Sequence, residues 1–268
     1  MKVKSLFALA IALFFCQTGL AQADGPNGLY LGVKVGAGIT HSDTVLNTQS
    51  AQIVGNWGPP APGPFSIDMG SKFRANLLAG ASVGYDFSKA YTIPIRLELD
   101  YAYRFGTRND WRVSSLSILG QKLPVNGAFS SKISTQTLLF NLWYDIDTGT
   151  KLTPYVGGGV GVAFVTAKDT IAFRPPLNNL PIFPVNYSFS KTKTNFAWDL
   201  GLGLAYNVSE NVALDLAYRF VYVGKVSPNQ TLRLITTDPG NGGYVIPLAA
   251  ENKAIYSHDI TFGVRYTF

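Results

Sequence analysis

The feature that most constrains this chain is a two-residue rhythm. It is clearest at 93–104, where Ile93, Ile95, Leu97, Leu99, Tyr101 and Tyr103 alternate with Arg96, Glu98, Asp100, Ala102 and Arg104. Successive side chains of a strand point to opposite faces, so such a segment has one apolar and one polar face. The rhythm returns along the chain in segments of about ten residues, the length of a tilted membrane-spanning strand. Past residue 23 there is neither an apolar run of about 20 residues nor a long amphipathic helix, which excludes helical spanning. Backbone groups in lipid must then be satisfied by a closed barrel.

Segments with this pattern fall at 29–40, 74–87, 93–104, 132–144, 154–167, 194–207, 212–222 and 255–268. The connections alternate: 41–73, 105–131, 167–193 and 223–254 are long, whereas 88–92, 145–152 and 208–211 are short. We therefore expect an all-β fold, an eight-stranded antiparallel transmembrane up-and-down β-barrel with four long external loops and short periplasmic turns. An even strand number returns both termini to one side, the periplasm. Leu139 and Trp143 fit poorly on the lumen face of their segment.

The start of the chain reads as export machinery. Lys2 and Lys4 precede an apolar run at 6–15, and Ala21-Gln22-Ala23 is a small-x-small cleavage site. Residues 1–23 are thus expected to be a cleaved signal peptide and 24–268 the barrel domain. The chain's single cysteine, Cys16, leaves with the signal, which removes disulfide and thiolate chemistry. The formal charge falls from +6 to about +4 with Lys2 and Lys4. The basic residues are scattered, which argues against nucleic acid and leaves contact with anionic lipopolysaccharide open.

The last segment, 256–268, has alternating apolar residues, Tyr266 third from the end and a terminal Phe268. It resembles the closing strand of outer-membrane barrels. Pro154-Tyr155-Val156-Gly157-Gly158-Gly159-Val160-Gly161-Val162-Ala163, with 144–150 before it and 96–103 further upstream, is similar to the opacity-type (porin-like) family of small surface barrels. The resemblance covers the strands and not the loops. It implies a bacterial outer-membrane location and contact with outer-membrane lipid and lipopolysaccharide. It also implies reading of Phe262, Tyr266 and Phe268 by the barrel-assembly machinery.

Inward positions carry the informative charges. Lys34, Arg96, Arg104, Arg219 and Arg265 balance Glu98, Asp100, Asp199, Asp215 and Asp259. An eight-stranded barrel is just wide enough to be filled by its own side chains, so these charges are expected to pair into a network that plugs the lumen. The alternative is the lining of a narrow channel for ions or small solutes. Ser257 and His258 are adjacent, so they point to opposite faces and cannot form a hydrolase pair. Asp147-Thr148-Gly149-Thr150 spells an aspartic-protease motif but falls in a turn, and a second copy is missing. Two histidines in all, with no cysteine left after the signal, argue against a His/Cys metal site, and Gly-x-Gly runs never complete a nucleotide-binding fingerprint. No catalytic residue, metal ligand or cofactor is assigned.

The long connections are where recognition is expected. Trp57, Phe65, Phe173 and Phe183 are the candidate contacts for a host or cell-surface ligand, set among prolines that stiffen their loops. The leading expectation is a non-enzymatic surface barrel for adhesion or envelope interaction; the rival is a porin-like channel.

Overall fold

The computed structural model describes residues 28–48, 52–54, 66–118, 121–174, 185–226, 229–235 and 243–268. Its strands are β1 (Leu29–Thr48), β2 (Gln52–Val54), β3 (Ser66–Asp86), β4 (Ile95–Ile118), β5 (Gln121–Asp145), β6 (Leu152–Arg174), β7 (Val185–Asn207), β8 (Val212–Val226), β9 (Asn229–Ile235) and β10 (Gly243–Thr267). Hydrogen bonding runs in the order β1-β3-β4-β5-β6-β7-β8-β10, and β10 pairs back onto β1. Every barrel pairing is antiparallel, so the fold is a closed eight-stranded barrel.

Closure is long, and it keeps one register from Tyr30 to Ser42. Tyr30 faces Thr267, Lys34 faces Gly263 and Gly38 faces Asp259. Phe268 N–H donates to Leu29 O at 2.9 Å and seals the seam at its end. The outer wall is apolar. Leu77 is 68% exposed and Leu200 60%, values that only a lipid surround makes tolerable. On β7 this band runs from Phe196 to Tyr206, about 25 Å of height for a strand tilted near 40°. Aromatic side chains edge it. Tyr85, Tyr144, Tyr206 and Tyr266 lie at one end, and Phe73, Trp198, Tyr222 and Tyr256 at the other.

The two ends differ. One carries tight connections: α1 (Phe87–Tyr91) capped by Asp86, then the 146–151 and 208–211 turns. In the second, Gly149 has φ +66° and its N–H donates to Asp147 at 2.9 Å, so Asp147-Thr148-Gly149 serves turn geometry. At the other end, the segments expected as loops are largely continued strand. β4 and β5 stay paired to Ile118 and Gln121, and β6 and β7 to Phe173 and Val185. β9 pairs with the start of β10, whose other edge takes β2, making a small sheet beyond the barrel. Residues 1–23, Trp57, Phe65 and Phe183 lie outside the described residues; Phe173 is on β6, but its side chain is outside them.

A charge placed mid-height on the lipid wall should be far costlier than one beyond the band. We expect Leu200→Arg to destabilise the folded barrel by about 2–4 kcal/mol and Thr192→Arg by less than about 1. Urea titration of protein folded into lipid vesicles checks this; equal costs would overturn the placement of the band.

Candidate functional site

The lumen holds every charge that the alternation places inside, in three tiers. In the tier nearest the short turns, Arg96 grips Asp145 with two bonds, Nε at 2.7 Å and Nη2 at 2.8 Å, and its guanidinium lies 4.7 Å over the Tyr155 ring. Glu98 accepts from Tyr30 and Trp143, each at 3.2 Å, rather than from a cation. Arg265 stacks 5.4 Å over Tyr30 and stands 3.6 Å from Asp215. The tyrosine rings need room: a Cβ at Gly84 would strike Tyr30, and one at Gly203 would strike Tyr155.

The middle tier centres on Arg219. Its guanidinium donates through Nε and Nη2 to Asp199 and through Nη1 to Asp100 at 3.1 Å. Asp100 also accepts from Lys34. The Asn141 amide completes the pair, donating to Asp199 (3.1 Å) and accepting from Arg219 (2.9 Å), the orientation that matches donors to acceptors. In the third tier Arg104 donates to Asp259 at 2.8 and 2.6 Å and to Thr137 at 3.1 Å. Ser257 hydrogen-bonds Asp259 at 2.6 Å inside the barrel, while His258 meets Tyr218 OH at 2.7 Å outside it. The pair therefore shares no proton.

Three residues outside the expected charge network matter here. Asp145 is Arg96's partner, although its position at the strand end reads as turn. Trp143 and Leu139, awkward inward by sequence, are buried inside; Trp143 binds Glu98 and lies under Arg219 at 5.4 Å. Sequence reasoning also missed an apolar cluster further toward the strand extensions. Leu139, Val165, Val221, Val223, Val226 and Ile255, all at most 1% exposed, pack with Ile133 and small alanines of β6 and β7. A signal for it exists. The alternation lapses at Phe164-Val165 and Phe220-Val221-Tyr222-Val223, where apolar residues occupy both faces.

Between the first two tiers lies a cavity of about 60 Å³, lined by Lys34, Arg96, Glu98, Asp215, Arg219 and Arg265 among others. That is room for about four or five waters. Asp215 Oδ1 and Arg265 Nη1 reach it buried and without a protein partner among the described residues. Of the remaining expected positions, Phe262 and Tyr266 stand on the outward face of β10 and Phe268 follows its end, with the last two rings 5.1 Å apart. Among the described residues no group of His, Cys, Asp and Glu is arranged to hold a metal ion.

A closed eight-stranded wall, a lipid-matched band and a polar, paired interior define a small outer-membrane β-barrel protein. The chain belongs to the family described as outer membrane protein beta-barrel domain, which it matches over residues 7–268. It is similar to the outer membrane protein PagN of Salmonella typhimurium, 27% identical over 267 residues, covering 99% of this chain and 100% of PagN. A putative adhesin of Rickettsia felis is 25% identical over 223 residues, covering 75% of this chain and 90% of that protein. Among solved structures, Neisserial surface protein A matches with 18% identity and a TM-score of 0.36, covering 91% of this chain and all of that one. The protein is an outer-membrane barrel.

Removing one partner of a buried pair strands the other charge. Asp259→Ala, which leaves Arg104 only Thr137, should cost about 3–5 kcal/mol in denaturant unfolding. Arg104→Met combined with Asp259→Leu should recover most of that loss. A double variant no more stable than Asp259→Ala would mean that the pair does not act as a unit.

Proposed function

We propose that this protein is a non-enzymatic surface barrel that presents its long hairpins to a host or cell-surface ligand. In this reading residues 1–23 are removed on export, both termini lie in the periplasm, and the strand extensions face outward. The observation that carries the reading is the filled interior. Three tiers of paired charge are followed, toward the extensions, by the apolar cluster of Val165, Val221, Val223 and Ile255. An ion crossing that cluster would shed much of its water against apolar side chains, at a desolvation cost. The names of the two curated relatives, an outer membrane protein and a putative adhesin, support the same direction.

The narrow-channel reading has one observation in its favour, the charged cavity of about 60 Å³. It is small, and the apolar cluster lies on its far side. Planar-bilayer recording of the refolded protein separates the two. We expect silence from the natural sequence and from Arg219→Ala alike, with insertion shown by resistance to sodium dodecyl sulfate before heating. Reproducible channels whose ion selectivity changes in Arg219→Ala would make the protein a pore. Shortening the 236–242 or 175–184 connection should reduce adherence of expressing cells to host cells, with barrel folding unchanged. Undiminished adherence after shortening each hairpin in turn would sink the display reading.

Orientation has its own test. Cys16 is the sole cysteine, so a single introduced thiol reports cleanly once the signal has gone. In intact cells an impermeant maleimide should label Gly240→Cys and spare Gly149→Cys; the reverse pattern would invert the barrel.

A further inference from the structure

We infer that the outward face of β4, β5 and β6, just beyond the lipid band, is a binding site for the phosphate groups of lipopolysaccharide packed against the barrel. The register sets Arg108 directly opposite Lys132, and Lys132 directly opposite Lys168. Opposed residues share a face at about 5 Å spacing, so three cations form one row across three strands. Lys132 sits between buried Ser131 and Ile133, and Lys168 between buried Ala167 and Asp169, which fixes both lysines outward. Like charges directly opposite each other destabilise a sheet. An anion between them reverses that cost.

The charges within reach leave the lysines free. Arg108 Nε donates to Asp110 and Ser130, both at 2.8 Å. Hydrogen bonds from Ser130 and Arg108 hold the Asp110 carboxyl below the usual carboxylate range, so it stays charged and answers the arginine. Neither Lys132 nor Lys168 has a carboxylate partner among the described residues.

Two further features point to a lipid-borne phosphorylated sugar. The Lys132 stem lies back over Gly106, where a Cβ would come within 2.7 Å of its Cε and 3.0 Å of its Cγ. Gly106 follows Phe105, an exposed outward aromatic, so the stem is laid toward the membrane edge with its ammonium at the headgroup level. Hydroxyls flank the lysine row: toward the band Thr166 meets Thr192 at 2.9 Å with Ser134 beside them, Ser190 stands opposite Lys168, and beyond it Thr170 meets Ser188 at 3.3 Å. On the opposite wall the corresponding edge is aromatic, with Phe73, His41, Tyr256, His258 and Phe220 in contact. Paired cations plus hydroxyls suit a phosphorylated glycolipid better than a lone phosphodiester. The inference rests on the outward orientation proposed above and not on what the hairpins bind.

The test uses the full refolded barrel in detergent micelles, with native mass spectrometry reading the lipid retained. The probes are lipopolysaccharide, the same lipid dephosphorylated, phosphatidylglycerol and inorganic phosphate. The natural sequence should hold lipopolysaccharide roughly tenfold more tightly than its dephosphorylated form, a comparison that needs no variant. Lys132→Gln with Lys168→Gln should lose about the same factor, and Lys132→Arg with Lys168→Arg should retain it. Equal retention of the dephosphorylated lipid, or unchanged binding by the glutamine variant, would overturn the site. Equally tight binding of phosphatidylglycerol or inorganic phosphate would overturn its assignment to lipopolysaccharide. Failure of the orientation is seen separately, in the maleimide labelling.

Discussion

The structure depends on one constraint: inside a bilayer, no water is available to a backbone N–H or C=O. A sheet with an open edge would leave a row of such groups in hydrocarbon, at several kcal/mol each. The β1–β10 pairing removes that edge, from Tyr30 opposite Thr267 to Thr48 opposite Leu248. Once the wall is closed, the two-residue period acquires a fixed meaning. From Leu29 to Thr40 odd positions meet lipid, even positions meet the lumen, and a register slip of one residue would expose Lys34 to hydrocarbon and bury Val33 and Val35 among charges.

Closure at eight strands then dictates the interior. An eight-stranded interior is just wide enough for side chains to fill, so what enters must fit and must pair. Glycines at 84 and 203 are the complement of the tyrosines at 30 and 155, because the volume of one ring is provided by the missing side chain opposite. Some charges find partners across the barrel as well as on the neighbouring strand. Arg104 on β4 reaches Asp259 on β10, and Arg219 on β8 reaches Asp100 on β4. These bonds tie distant parts of the wall together, as cross-struts do. The same groups lining an open tube would face water and have no need of one another.

The period made the eight strands and their faces legible in the sequence, because each spans one boundary between lipid and lumen. Strand ends were not legible. Beyond the lipid band no hydrocarbon demands an apolar outer face, so the chain can continue as strand with nothing in the sequence to mark its end, as β4 and β5 do to Ile118 and Gln121. Pairing within the lumen was legible only as a balance of charge. Which cation meets which carboxylate depends on strand tilt and stagger, and these bring Asp145 to Arg96 and leave Glu98 with two neutral donors. The apolar cluster escaped for the opposite reason. Val165, Val221 and Val223 sit where an apolar residue on either face looks like more membrane strand, and only the lapse in alternation separates the two cases.

These constraints divide the surface by freedom to vary. The lumen is committed to its own packing, and the outer band to lipid. The short turns are committed to geometry, as the positive φ at Gly149 illustrates. Only the strand extensions and the rim beneath them are released from both demands. They are also stiff, because β9, β10 and β2 form a hydrogen-bonded sheet rather than free loops. A preformed surface loses less entropy on binding than a mobile one, which favours recognition there. The rim is less free than the hairpins, since it lies against the leaflet. Its unlike walls, hydroxyls and lysines on β5 and β6 and aromatics on β8, β10, β1 and β3, give the barrel two distinct sides toward its lipids. A cylinder that is uniform through the band thereby acquires a direction in the membrane plane, and the hairpins above inherit it.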